Sequence, residues 1–144
     1  DLQINFISLV KVIQSVLPNL LASEQASIVT FSSVAATMGM PFHTSVAASK
    51  GAIEGFAKAL AAEYAPKIRV NVIAPSLTDT PLADKFLNNE SKQEKSAERH
   101  PLKRFGKPED SAQMATFLLS DKSSWISGQI FHVDGGMSTL LVNG

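Results

Sequence analysis

Three short runs rich in β-branched residues, Ser27–Phe31, Ile68–Ala74 and Gln129–Val133, alternate with stretches of helical character, and this alternation restricts the fold more than any other feature. Apolar runs of about four to eight residues with little polar alternation belong to strands buried on both faces, and such strands form parallel sheets covered by helices. Ahead of the first run, Leu2, Phe6, Leu9, Val10, Ile13, Leu17 and Leu20 recur at spacings of mostly three and four, one apolar stripe on an amphipathic helix. Thr44 to Ala65 is helix-forming and is closed by Pro66. Within it, Ala47, Ala48, Gly51, Ala52, Gly55 and Ala59 would let another helix approach its backbone closely. Pro108-Glu109-Asp110 opens a further helix reaching Leu119, with proline in the first turn and acids at the positive end of the helix dipole. The order helix, strand, helix, strand, loop, helix, strand predicts an α/β fold with a parallel sheet and right-handed crossovers. Ser76 to Lys107 is expected to be a long irregular or weakly helical insertion, the kind of segment that shapes a site.

With 144 residues, 44% of them apolar, the chain suits one domain with a real core. Thirteen basic residues balance thirteen acidic ones, so no electrostatic footprint for nucleic acid or an anionic membrane exists; a small neutral molecule or another protein is the expected partner. Without cysteine there is no disulfide framework, and three scattered histidines, His43, His100 and His132, do not form a zinc site. The most apolar stretch, Phe6–Leu21, is broken by Lys11, Gln14 and Asn19 and has no basic lead-in, so neither a membrane span nor a signal peptide is expected. The expectation is a soluble, cytoplasmic protein.

Five strings, in this order and at these spacings, carry a resemblance: Ile28-Val-Thr-Phe-Ser-Ser33, Ser49-Lys50, Arg69-Val-Asn-Val-Ile-Ala-Pro75, Pro101-Leu-Lys-Arg-Phe-Gly-Lys-Pro-Glu109, and Ser127-Gly-Gln129 running to Val133-Asp-Gly-Gly136. Together they resemble the second half of the short-chain dehydrogenases/reductases, over nearly the whole chain. The resemblance implies a Rossmann-like doubly wound sheet, with strands five to seven and flanking helices present here. It also implies that residues 1–144 are the C-terminal portion of one domain of about 240 to 260 residues, whose Gly-rich phosphate loop lies upstream. Gly135-Gly136 follows the last strand and cannot be that loop, which joins a first strand to its helix.

The chemistry implied is hydride transfer between a nicotinamide, NAD or NADP, and a small carbonyl or alcohol. By the same resemblance, Ser33 would polarise the substrate oxygen, Lys50 would hold the ribose and Asn5 would order a relay water. Pro75, Ser76, Thr78 and Thr80 would meet the nicotinamide end of the cofactor, the backbone of Thr78 at the carboxamide and the hydroxyl of Thr80 beside it. Ser76 occupies a position where the family has glycine, so these contacts depend on serine taking glycine's backbone shape. The family's proton-moving tyrosine falls at Val46, four residues before Lys50 and thirteen after Ser33. Tyr64, eighteen residues further and roughly 27 Å along a continuous helix, cannot stand in for it. Positioned acid–base assistance is worth about 10²–10⁴-fold in rate, so the loss of the phenol matters. His43 and Ser45 flank Val46, and the imidazole of His43 is the candidate replacement donor.

Two functions stay open at this point: an NAD(P)-dependent oxidoreductase with an atypical proton donor, and a catalytically silent relative kept for dinucleotide binding or assembly, favoured by Val46 and Ser76. In the family the helix carrying Ala47 to Ala59 joins subunits, so a homo-oligomer, dimer or tetramer, is expected. The first strand would expose an apolar edge and promote self-association of the isolated piece. Trp125 reads as a packing residue, His132 as a packed or edge residue of the last strand, and His100 carries no role.

Overall fold

A computed structural model describes residues 2–143. A π-helical turn, Leu2–Ile7, runs directly into α1, Ser8–Ala22; then follow β1, Ala26–Phe31; α2, Thr44–Tyr64; β2, Ile68–Pro75; α3, Asp84–Leu87; α4, Glu90–Arg99; α5, Pro108–Leu119; and β3, Ile130–Val133. The strands form a parallel sheet in the order β1-β2-β3, with Ala26 opposite Ile68 and Val72 opposite Ile130. The expected α/β fold and all three strands are therefore present.

The strand residues alternate between two helical layers. On one face Ala26, Ile68, Val70 and Val72 form a buried cluster with Ile13 of α1 and Ala57, Leu60 and Ala61 of α2; Leu9, Leu17, Leu20, Ile28 and Ile130 pack around it. Burying each large apolar side chain there contributes about 1.5–3 kcal/mol. The alanines of α2 that enter this core are Ala57 and Ala61, whereas Ala48, Gly55 and Ala59 of the small-residue stripe are exposed. The ring of Phe6 meets that of Phe56 edge-on, 5.6 Å between centroids, which ties the π-turn to α2.

On the other face α5 is fastened by polar groups. Arg69 donates to the carbonyls of Leu118, Ser120 and Ser123, capping the end of α5, and Ser27 donates to Leu118 at 2.7 Å. Asn71, fully buried, donates to the Ile126 carbonyl and accepts from the Gln129 N–H, each at 3.1 Å, and so fixes the entry of β3. Helices on both faces make the sheet doubly wound, and β2 is buried through most of its length.

The Ser76–Lys107 region, expected to be irregular or weakly helical, contains two short helices among its turns. It holds α3 and α4, the latter capped by Asn89 accepting from the Lys92 N–H. Trp125 corrects an expectation: it is 99% exposed and packs against nothing in the core. Leu2–Ala22 is long and apolar enough by length and composition to cross a membrane. Its stripe Leu9, Ile13, Leu17 and Leu20 faces the core, while Leu2, Ile4, Val12, Val16 and Leu21 are exposed.

Candidate functional site

The ends of β1 and β2 lie side by side, because the Ser32 N–H still bonds the Ile73 carbonyl at 2.9 Å as the chain leaves the sheet. Ser33 and the segment from Pro75 onward therefore leave from the same carboxyl edge, where open α/β sheets bind ligands. Ser33 caps the short helical turn Val34–Ala36, its Oγ accepting from the Ala35 N–H at 3.1 Å. That bond orients the oxygen and leaves its O–H proton to donate outward, the property needed to polarise a carbonyl.

Lys50 comes to this edge from α2. Its Nζ lies 3.5 Å from the Phe31 carbonyl, two residues before Ser33, a long contact that leaves the ammonium with further N–H donors. Burial lowers the pKa of its ammonium. Val46 is partly buried in the first turn of α2, and its carbonyl accepts from the buried Ser49 hydroxyl at 3.1 Å. No phenol is near it: Tyr64 packs against the core cluster at the far end of α2.

His43 immediately precedes α2, with its Nδ1 2.7 Å from the Pro41 carbonyl. A carbonyl only accepts, so Nδ1 carries the proton and the neutral ring keeps Nε2 as its free acceptor. His43 in that tautomer takes a proton at Nε2, and gives one there only as the imidazolium. Asn5 sits in the π-turn, a local geometry frequent at functional sites, and its side chain makes no hydrogen bond among the described residues.

Ser76 takes an ordinary backbone conformation, since among the described residues the non-glycine residues with positive φ are Phe42 and Lys103. Position 76 of this chain is therefore not left-handed. Thr78 donates to the Ser76 carbonyl at 3.0 Å and bridges to Gly106, while Thr80 precedes the turn Pro81–Ala83. A Cβ on Gly106 would lie 3.0 Å from Thr78 Oγ1, so the approach of these two loops needs glycine.

One residue was missed. His100, given no role from sequence, is 1% exposed, with Nδ1 2.7 Å from the Ser96 carbonyl and Nε2 2.7 Å from the Ser76 hydroxyl. Its burial has no local signature, because the residues that enclose it come from three distant segments. His132 lies in β3 with Nε2 3.1 Å from Thr37 Oγ1, as an edge residue should. A cavity of about 360 Å³ opens beside Ser76, His100 and Gly106; of the residues predicted for the site it includes only Ser76, so it lies behind the 76–80 segment and apart from Ser33 and Lys50. Among the described residues no cluster of groups could hold a metal ion.

A doubly wound parallel sheet with a serine and a lysine at its carboxyl edge defines a Rossmann-like α/β protein. A family model described as enoyl-(acyl carrier protein) reductase matches residues 1–138. The chain is 41% identical over 137 residues to the 3-oxoacyl-[acyl-carrier-protein] reductase of Thermotoga maritima, covering 94% of this chain and 55% of the relative. Among solved structures it is similar to a gluconate 5-dehydrogenase from Burkholderia cenocepacia in complex with NADP and tartrate (TM-score 0.88, 28% identity, 95% of this chain and 54% of that one). It is similar also to a 3-oxoacyl-[acyl-carrier protein] reductase with bound NAD from Brucella melitensis (TM-score 0.83, 33% identity, 94% and 50%). The chain belongs to the short-chain dehydrogenase/reductase family, and it spans about half the length of the curated relatives it matches.

Proposed function

We propose that the protein of which this chain is part is an NAD(P)-dependent oxidoreductase that transfers hydride between the nicotinamide and a small carbonyl or alcohol. The observation that carries this is the meeting of Ser33, with an oriented hydroxyl, and Lys50, with spare donors, at the carboxyl edge of β1 and β2. The fit to the cofactor is supported by the same edge: Lys50 would hold the ribose, and Pro75, Ser76, Thr78 and Thr80 the nicotinamide end, with no strained backbone at Ser76. The bound nicotinamide would supply or accept the hydride. The chain's own residues do the rest: Ser33 donates to the substrate oxygen, Asn5 binds water, and His43, protonated at both nitrogens, gives the proton that Val46 lacks. The protein is proposed to be soluble and cytoplasmic, and to form a homo-oligomer through α1 and α2, whose exposed apolar and small residues are otherwise uncovered.

Val46 favours a second reading, a catalytically silent relative that binds the dinucleotide without turning it over. Full-length protein assayed with NADH and NADPH against a panel of carbonyls separates the two. Turnover that falls at least tenfold in His43→Ala, and cofactor affinity that falls in Lys50→Met, support the enzyme. Cofactor binding without turnover supports the silent relative, and no binding at all overturns both.

A further inference from the structure

Ser76 has taken the place of a glycine and uses its side chain. Its hydroxyl meets Nε2 of His100 at 2.7 Å, and Nδ1 of the same ring meets the Ser96 carbonyl at 2.7 Å. Since the carbonyl can only accept, Nδ1 is the protonated nitrogen, and Nε2 of the neutral ring accepts the Ser76 proton. The ring lies at the end of α4, where His100 is the residue after Arg99, and is wedged against the turn after β3: a Cβ on Gly135 would lie 3.6 Å from its Cβ. Backbone bonds brace it, Lys103 N–H to His100 carbonyl at 2.8 Å and Leu102 N–H to Gly135 carbonyl at 3.1 Å.

The segment this ring touches has little else behind it. The cavity of about 360 Å³ runs along Ser76, Leu77, His100 and Gly106, so this side of the segment is not supported by close packing. Across that space the segment is tied by the exchange of backbone bonds with Gly106 (Asp79 N–H to Gly106 carbonyl and Gly106 N–H to Leu77 carbonyl, 2.9 Å each), and by the Ser76 hydroxyl, which meets His100 Nε2 at 2.7 Å and, at 3.2 Å, Met137 Sδ. The first fixes the middle of the segment; at its start, where it leaves β2, the short His100–Ser76 bond adds to a long backbone bond from the Ser76 N–H to the Val133 carbonyl at 3.4 Å.

We propose that His100 is a positioning residue: through Ser76 it struts the start of the 76–80 segment across the cavity and so fixes the backbone that receives the nicotinamide end of the cofactor. This rests on the oxidoreductase reading. Removing either partner frees the segment to move into the cavity, and the bond is worth what one buried hydrogen bond is worth, roughly three- to tenfold in cofactor affinity.

The test uses full-length protein with His100→Ala, Ser76→Ala and the double variant, with Ser76→Gly as a substitution that restores the family residue and keeps the fold. Dissociation constants for NADH and NADPH are read by fluorescence, and amide exchange is followed at Leu77 to Asp79 without cofactor. Expected are a three- to tenfold loss of affinity in each single variant, no additional loss in the double, and faster exchange at Asp79 with Val72 unchanged. His100→Gln, which keeps a polar group for Ser76, should restore part of the affinity. A melting temperature that falls while affinity and Asp79 exchange stay as in the wild type overturns the proposal, as do additive losses in the double variant. Wild-type protein that binds no nicotinamide cofactor overturns the oxidoreductase reading and this one together.

Discussion

Placing a phenol at position 46 probes how much of the catalytic arrangement is intact. Val46 and Lys50 are one turn apart on α2, about 6 Å along its axis and on one face, so a tyrosine at 46 would stand beside the ammonium. Val46 is only partly buried, so the larger ring has room toward solvent and need not overpack the core. The nearby ammonium favours the phenolate and lowers the tyrosine pKa below its ordinary value of about 10. In a His43→Ala background, where the imidazole no longer supplies the proton, the phenol's acid–base assistance should raise the rate about 10²–10⁴-fold, which is about 3–5 kcal/mol off the barrier. Single-turnover oxidation of the reduced cofactor by full-length Val46→Tyr in that background, followed by absorbance across pH 6 to 10 (about the range where the phenol titrates), measures this. Val46→Phe, equal in bulk but without the hydroxyl, should show no gain. A rate for Val46→Tyr in the His43→Ala background that stays within about threefold of His43→Ala alone at every pH, with cofactor affinity and melting temperature unchanged, would refute the inference that Ser33 and Lys50 remain correctly disposed.

Asn71→Leu should destabilise by about 1–3 kcal/mol, because the Gln129 N–H loses its partner and the Ile126 carbonyl keeps only the long 3.4 Å contact from Arg69; denaturant unfolding showing under about 0.5 kcal/mol would contradict the role of Asn71 at the β3 entry. Gly136 has φ 86°, and a Cβ there would lie 2.7 Å from Leu140 Cδ1, so Gly136→Ala should cost at least about 1 kcal/mol by thermal melting, and a neutral result would show that the turn after β3 readily adopts another shape. The hydrogen bond from Arg104, then that from the Lys107 N–H, hold the Asp110 carboxyl down to about 2, against 3.8 ordinarily. A depressed carboxyl stabilises the fold above its unfolded pKa and loses that contribution as pH falls through the folded one. The stability difference between wild type and Asp110→Asn, a few tenths of a kcal/mol for so exposed a pair, should therefore shrink between about pH 4 and pH 2, and a difference constant over that range would refute it.

Much of the fold was legible because its signals are local. The β-branched runs gave all three strands to within a residue or so at each end, Pro66 and Pro108 marked helix limits, and the apolar stripe of α1 named the residues that meet the core. Such patterns survive in the sequence because burial on a sheet or a helix face acts at fixed periods of two or 3.6 residues. In the 76–107 segment composition left helix and irregular chain both open, because α4 is polar nearly throughout and is held by its Asn89 cap rather than by an apolar face. Trp125 misled, because an aromatic ring carries no mark of whether a neighbour exists to cover it.

By itself the sequence determined the α/β order of the elements and the family. Only the tertiary structure decided that Ser33 and Lys50 share one edge, that Ser76 needs no glycine-like backbone, and that His100 is buried against it. These are contacts between segments tens of residues apart, and no period or spacing along the chain encodes which side chains the folded sheet brings within hydrogen-bonding distance.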